Sequence, residues 1–227
     1  MSIAENIKHI RTELEEACAR SGRKPEEITL INVSKTKPVE MLMEAYEAGE
    51  RCFGENRVQE LQEKMPAMPE DVRWHMIGHL QTNKVKYIAG KVELIHSVDS
   101  LHLAREIDKQ CASRGCVQDI LLEVNMAGEA SKFGTADEES NKALIRSISE
   151  LHSIRLCGLM TVAPYTENAE DNRQYFRALR ELAYGEMRGY FPEIPLLSMG
   201  MSGDYIVAAE EGATHVRVGS SIFGHRG

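Results

Sequence analysis

Apolar positions in the first twenty residues recur at steps of three and four. Ile3, Ile7, Ile10, Leu14 and Ala17 fall on one face of a helix. Ser2 and Glu5 stand in front of that stripe as a capping box, and Ser21-Gly22 marks its end. After Pro25 the pattern changes to ITLINVSK, a continuous β-branched apolar run that predicts a buried strand through Lys35. Strand and helix signals then alternate. Helices are expected at VEMLMEAYEAG, RVQELQEK, near NKVKYIAG, at SLHLAREIDKQCASRG, DEESNKALIRSISELH, over residues 169–189, and at DYIVAAEEG. Between them lie strands at CFGE, RWHMIG, VELIHSVD, VQDILLEVN, IRLCGLMT and IPLLSMGMS, and THVRVG runs last into SSIFG. About eight strands, each followed by a helix, argue for a parallel sheet. The expected architecture is α/β: a single (β/α)8 TIM-type barrel with an extra N-terminal helix, an open doubly wound sheet being the alternative. No linker or repeat divides the chain, so residues 1–227 are read as one domain.

Composition narrows the function classes. The 227 residues are 42% hydrophobic and 27% charged, ordinary for a globular chain, and no apolar run reaches the roughly 18–20 residues of a membrane span. The N-terminus carries acidic residues from the start and no apolar core of a secretory signal. A net charge of −8 without a basic run argues against nucleic-acid binding. Cys18, Cys52, Cys111, Cys116 and Cys157 include no CxxC pair and read as reduced thiols of a cytoplasmic protein, with no metal site at zinc spacing.

In a barrel of this kind chemistry sits at the C-terminal strand ends, here Lys35, Glu55-Asn56, Gly78-His79, Asp99, Asn125, Thr161, Ser198 to Ser202 and Gly219-Ser220. Lys35 closes an apolar strand, and period-two alternation puts Lys37 on the same side, where a neighbouring cation can depress an amine pKa. The plain alternative is two solvated lysines. The small-residue turns SMGMSGD and VGSSIFG offer Ser202 as an N-cap and Gly219, Ser220 and Ser221 as a close-approach turn, a pattern suited to phosphate or to ordinary capping. Arg217 shares a strand face with His215 and Gly219, so it needs a partner, for which an inward acid such as Glu123 is the structural candidate. His75 and His79 lack the intervening Glu of a zinc-protease motif and read as core or cavity lining. A strand-end amine, a phosphate cradle and a facing arginine together suit pyridoxal 5′-phosphate (PLP), although a lysine acting on a sugar phosphate would use two of the three.

VSKTKP, FGENRVQEL, WHMIGHLQTNK, the GLMT strand end, LSMGMSGD and VRVGSSIFG occur in order along the whole chain. In these the sequence closely resembles the pyridoxal phosphate homeostasis protein family, which has the fold of the alanine racemase N-terminal domain. The resemblance implies that Lys35 forms the internal aldimine with PLP. It also implies that Ser202, Gly219 and Ser220 contact the phosphate, Arg217 faces the pyridine nitrogen and Asn56 lines the cofactor face. Lys37 and Lys132 match lysines near that site. Alanine racemase adds a second β-domain that supplies a tyrosine base, whereas this chain stops at Gly227. The implied role is therefore binding and balancing PLP, without turnover, with PLP-requiring enzymes as recipients and a cytoplasmic monomer as the working form. The alternative is a PLP-dependent racemase or lyase acting on an amino acid.

Overall fold

Eight parallel strands close on themselves in the computed structural model, which describes residues 2–128, 138–185 and 187–224. In chain order the elements are α1 (Ile3–Ser21), β1 (Thr29–Val33), α2 (Val39–Glu47), β2 (Cys52–Glu55), α3 (Val58–Lys64) and β3 (Arg73–Met76). There follow α4 (Val85–Ile88), β4 (Leu94–Val98), α5 (Leu101–Ala112), β5 (Gln118–Glu123), α6 (Glu138–Ser149) and β6 (Ile154–Met160). The chain ends with α7 (Arg173–Tyr184), β7 (Leu196–Met201), α8 (Tyr205–Glu210), β8 (His215–Val218) and α9 (Ser220–Phe223). Each strand pairs with its neighbour, and β8 returns to β1 with Thr29 opposite His215 and Ile31 opposite Arg217. The alternation read from the sequence is thus a closed barrel, not an open sheet.

The N-terminal helix forms as its pattern requires. Ser2 Oγ accepts from Glu5 N at 3.2 Å while Glu5 returns a bond to Ser2 N at 2.7 Å, and Gly22 ends the helix at φ 70°, a conformation glycine takes without steric cost. Its apolar stripe, Ile3, Ile7, Ile10, Leu14 and Ala17, is buried against α2, α8 and α9. Each of its large aliphatic side chains contributes roughly 1.5–3 kcal/mol on leaving water. No helix among the described residues is long and apolar enough to cross a membrane.

Most expected elements lose a residue or more at their ends, and three change more than that. The first strand ends at Val33, two residues before Lys35. The helix near NKVKYIAG is a single turn, Val85–Ile88. The helix expected over residues 169–189 divides into a 3-10 turn (Ala169–Asn172), α7 and another 3-10 turn (Arg188–Tyr190). Its first break has a cause in Asn172, whose buried side chain donates to the Pro164 carbonyl at 3.0 Å and to Asp204 Oδ2 at 2.8 Å.

The centre of the barrel is polar. His75 on β3, His96 on β4 and His215 on β8 meet across the interior with ring centroids 5.3–6.0 Å apart. Burial holds His75 and His96 well below the usual histidine range. His215 is lowered to about 4 by burial and then by the charge of Arg217. All three rings are therefore neutral at physiological pH.

Candidate functional site

Directly above those histidines lies the side chain of Arg217, 5% exposed. Its guanidinium donates to Ser198 Oγ and, through Nη2, to the Thr161 carbonyl at 2.9 Å. The expected ion pair with Glu123 does not form: the two nearest acceptors come from β7 and the end of β6, and Glu123 acts on Arg217 only through its field. Burial lowers the guanidinium to about 10 against the pull of Glu123 and Asp204, so it stays protonated. An arginine can only donate, so the Ser198 hydroxyl proton is left for His96 Nδ1, 2.8 Å away. His96 then carries its proton on Nε2 and gives it to His75 Nδ1 at 3.1 Å. This one-directional chain of donors locks the arginine from below.

Lys35 stands in a tight turn and not on the strand. Lys37 N–H donates to the Ser34 carbonyl at 3.0 Å across it, and Thr36 takes φ 64°. For a β-branched residue this left-handed conformation costs on the order of 1–3 kcal/mol. Strand alternation consequently does not relate Lys35 to Lys37, and Lys37 Nζ donates to the Phe223 carbonyl at 3.1 Å.

Ser202 is also placed differently from the sequence reading. Asp204, not Ser202, occupies the N-cap position of α8. Ser202 Oγ instead accepts from Gly219 N at 3.2 Å and Ser221 N at 3.4 Å, so the turns after β7 and β8 meet at a pair of backbone donors gathered round one oxygen. Gly219 and Ser220 open α9 at the same point.

One cavity of about 1030 Å3 takes in Lys35, Asn56, Ser202, Arg217, Gly219 and Ser220. Lys37, Val162, Tyr165 and Asp204 share its wall. All six residues named from the sequence are therefore brought together; Lys132 lies outside the described residues. Asn56 follows β2, and the chain just beyond β3 passes close to it: a Cβ on Gly78 would meet the Asn56 carbonyl oxygen at 2.6 Å. Three cations (Lys35, Lys37, Arg217) face one carboxylate, that of Asp204, which already accepts from Met201 N at 2.7 Å and from Asn172. In a chain of net charge −8 this is a local reversal of sign, suited to an anion.

Sequence reasoning did not pair Arg217 with Ser198 and Thr161, nor find Asn172, which ties the loop after β6 to Asp204. Glu123, at the end of β5, is pushed up to about 7 by burial, then by the charge of Asp99, against the pull of Arg217. Asp99 in turn faces His79 Nδ1 at 3.3 Å. His75 and His79 thus go separate ways, one into the core and one to the loop. Among the described residues no group of three His, Cys, Asp or Glu could hold a metal ion.

The family described as alanine racemase, N-terminal domain, matches residues 2–227. A pyridoxal phosphate homeostasis protein of Aquifex aeolicus is 48% identical over 227 residues, covering 100% of this chain and 99% of the relative. PipY of Synechococcus elongatus has been solved without PLP (TM-score 0.87, 35% identity) and with PLP bound (TM-score 0.83, 34% identity), each match covering 98% of this chain and 100% of that one. An alanine racemase of Bartonella henselae shares the fold at TM-score 0.72 and 15% identity, over 98% of this chain and 58% of its own.

Proposed function

Since the chain belongs to the pyridoxal phosphate homeostasis protein family, built on the alanine racemase N-terminal domain, we propose that it holds PLP and serves the balance of that cofactor between free and protein-bound pools. In this reading it carries out no turnover of its own, acts as a cytoplasmic monomer and passes PLP to enzymes that require it. The observation that carries the reading is the cationic cavity, where Lys35, Lys37 and Arg217 share one wall with Ser202, Gly219 and Ser220.

The residues present fit PLP group by group. Two backbone donors gathered round Ser202 Oγ would suit a phosphate oxygen once that hydroxyl turns aside to donate, and Ser220 adds a second hydroxyl beside them. Lys35 presents its amine from the turn after β1, and Asn56 borders the cavity from the end of β2. Bound there, PLP supplies an aldehyde carbon to which a primary amine can add. Arg217 is a permanent donor, fixed from beneath by the Ser198–His96–His75 chain. Arg217 would therefore offer a pyridine nitrogen a hydrogen bond and no proton, an environment that would suit storage better than turnover.

Borohydride reduction of the PLP-loaded protein, followed by digestion and mass spectrometry, tests the assignment. The phosphopyridoxyl mass is expected on the peptide containing Lys35; its appearance only on Lys37 or Lys132 would overturn it. Pyridoxal without the phosphate should bind at least about a hundredfold more weakly, because two charge-assisted hydrogen bonds are lost. Multiple-turnover racemisation of a free amino acid by the purified protein would replace the storage reading with an enzymatic one.

A further inference from the structure

The turn that bears Lys35 is gripped from outside the cavity by a second lysine. Lys64, in the last turn of α3, is only 6% exposed. Its ammonium group donates to three acceptors: the Ser34 carbonyl at 2.8 Å, Glu55 Oε1 at 2.7 Å and Glu60 Oε2 at 2.8 Å. An ammonium has three hydrogens and no acceptor, so these bonds use its whole capacity and leave none for a ligand. Each acceptor also bears on the turn. Ser34 Oγ donates to the same Glu55 Oε1 at 2.7 Å, and Glu60 Oε2 accepts the N–H of Thr36 at 2.7 Å. The residues immediately before and after Lys35 are therefore both tied to one buried charge.

What they hold is the strained part of the site. Thr36 at φ 64° is the only residue other than glycine at positive φ among the described residues, and it directly follows Lys35. Released from Glu60, its backbone would relax toward the negative φ that a β-branched residue prefers, and the turn would re-aim the lysine before it.

We propose that Lys64 is a positioning residue which, through Glu60, Glu55 and the Ser34 carbonyl, keeps the Ser34–Lys37 turn in the strained conformation that presents Lys35 to its ligand. The inference rests on the reading of Lys35 as the residue that captures PLP. It differs from a merely structural ion pair in one consequence. If the function of the clamp is to hold Thr36 at positive φ, glycine at position 36, which adopts that φ without steric cost, should make the clamp partly dispensable.

The experiment measures the rate at which PLP with borohydride labels the Lys35 peptide, with cooperative unfolding of each variant checked separately. Lys64→Met is expected to slow labelling by about tenfold to a hundredfold, the range that misplacement of a reacting group by about an ångström produces. Thr36→Gly combined with Lys64→Met should return the rate to within about threefold of wild type, glycine having removed the steric penalty of the turn. Should Lys64→Met fail to fold, because Glu55 is left buried without its cation, Glu60→Ala carries the same test. It removes the Thr36 acceptor at a partly exposed position and should slow labelling, with the same rescue by Thr36→Gly. Wild-type labelling rates in the folded clamp variants, or a loss that Thr36→Gly does not repair, overturn the proposal. Absence of label on Lys35 in the wild type would instead overturn the reading of Lys35 itself.

Discussion

Gly219→Asp is expected to abolish retention of PLP. Gly219 lies between β8 and α9 with φ −127° and ψ −69°, and its backbone passes close to the end of β1. A Cβ at this position would stand 3.1 Å from both the Cβ and the carbonyl oxygen of Val33, the last residue of β1, just ahead of the Lys35 turn. The added carboxylate would also bring a negative charge to the backbone donors assigned to the phosphate. Two like charges about 4 Å apart at an effective dielectric constant near 20 repel by about 4 kcal/mol, close to a thousandfold in affinity. Gly219→Ala separates the two effects, since it adds the Cβ alone and should cost at most about tenfold, the size of a modest packing strain. Absorbance of the dialysed proteins and titration with PLP measure both. An aspartate variant that retains the cofactor as the wild type does would place the phosphate elsewhere.

The barrel was legible because its signals are local. Apolar β-branched runs and amphipathic stripes alternate, and parallel strands with helical crossovers follow. The departures occur where a distant side chain overrides the pattern. ITLINVSK reads as strand to its end, yet the strand stops at Val33 because the Ser34 carbonyl and hydroxyl are drawn to Lys64 and Glu55. Asn172 interrupts an expected helix because Asp204, 32 residues on, takes its amide.

The site divides in the same way. Lys35, Asn56, Ser202, Arg217, Gly219 and Ser220 were visible at strand ends, where residues such as lysine, arginine and small turn formers stand out from an apolar background. Their partners were not. Glu60 and Lys64, four apart on a helix, have the spacing of an ordinary solvated pair, and nothing in that spacing reveals that Lys64 is buried. The polar chain below Arg217 joins residues of β3, β4, β7 and β8, which only the closure of the barrel brings together. Ser202 and Asp204 are both good cap formers. Asp204 stands at the cap position while its carboxylate is engaged by Met201 and Asn172, which leaves Ser202 to the turn after β8.

Glu123→Gln should stabilise the fold at pH 8 and leave it nearly unchanged at pH 4. Glu123 is 9% exposed, and burial first, then the charge of Asp99, raises its carboxyl from 4.5 to about 7 although Arg217 opposes the shift. An acid raised in the folded state binds its proton more tightly there than in the unfolded chain. Below pH 4.5 both states are protonated and the contribution to stability is complete. As the pH climbs toward 7 the unfolded chain ionises first and stability falls. Above 7 the loss is full, roughly 3 kcal/mol for a shift of this size, or more than a hundredfold in the folding equilibrium. Glutamine has nearly the same shape and does not titrate, so the difference between variant and wild type isolates this one group from the rest of the titration. Urea unfolding at the two pH values measures it directly. A difference that is equal at pH 4 and pH 8 would show that Glu123 ionises without penalty. A difference that opens with pH would show that the wild type keeps, at physiological pH, a carboxylate that weakens its fold. Such a group, buried within the field of Arg217 at the C-terminal end of the barrel, is better accounted for by the charge balance of the site than by the stability of the barrel.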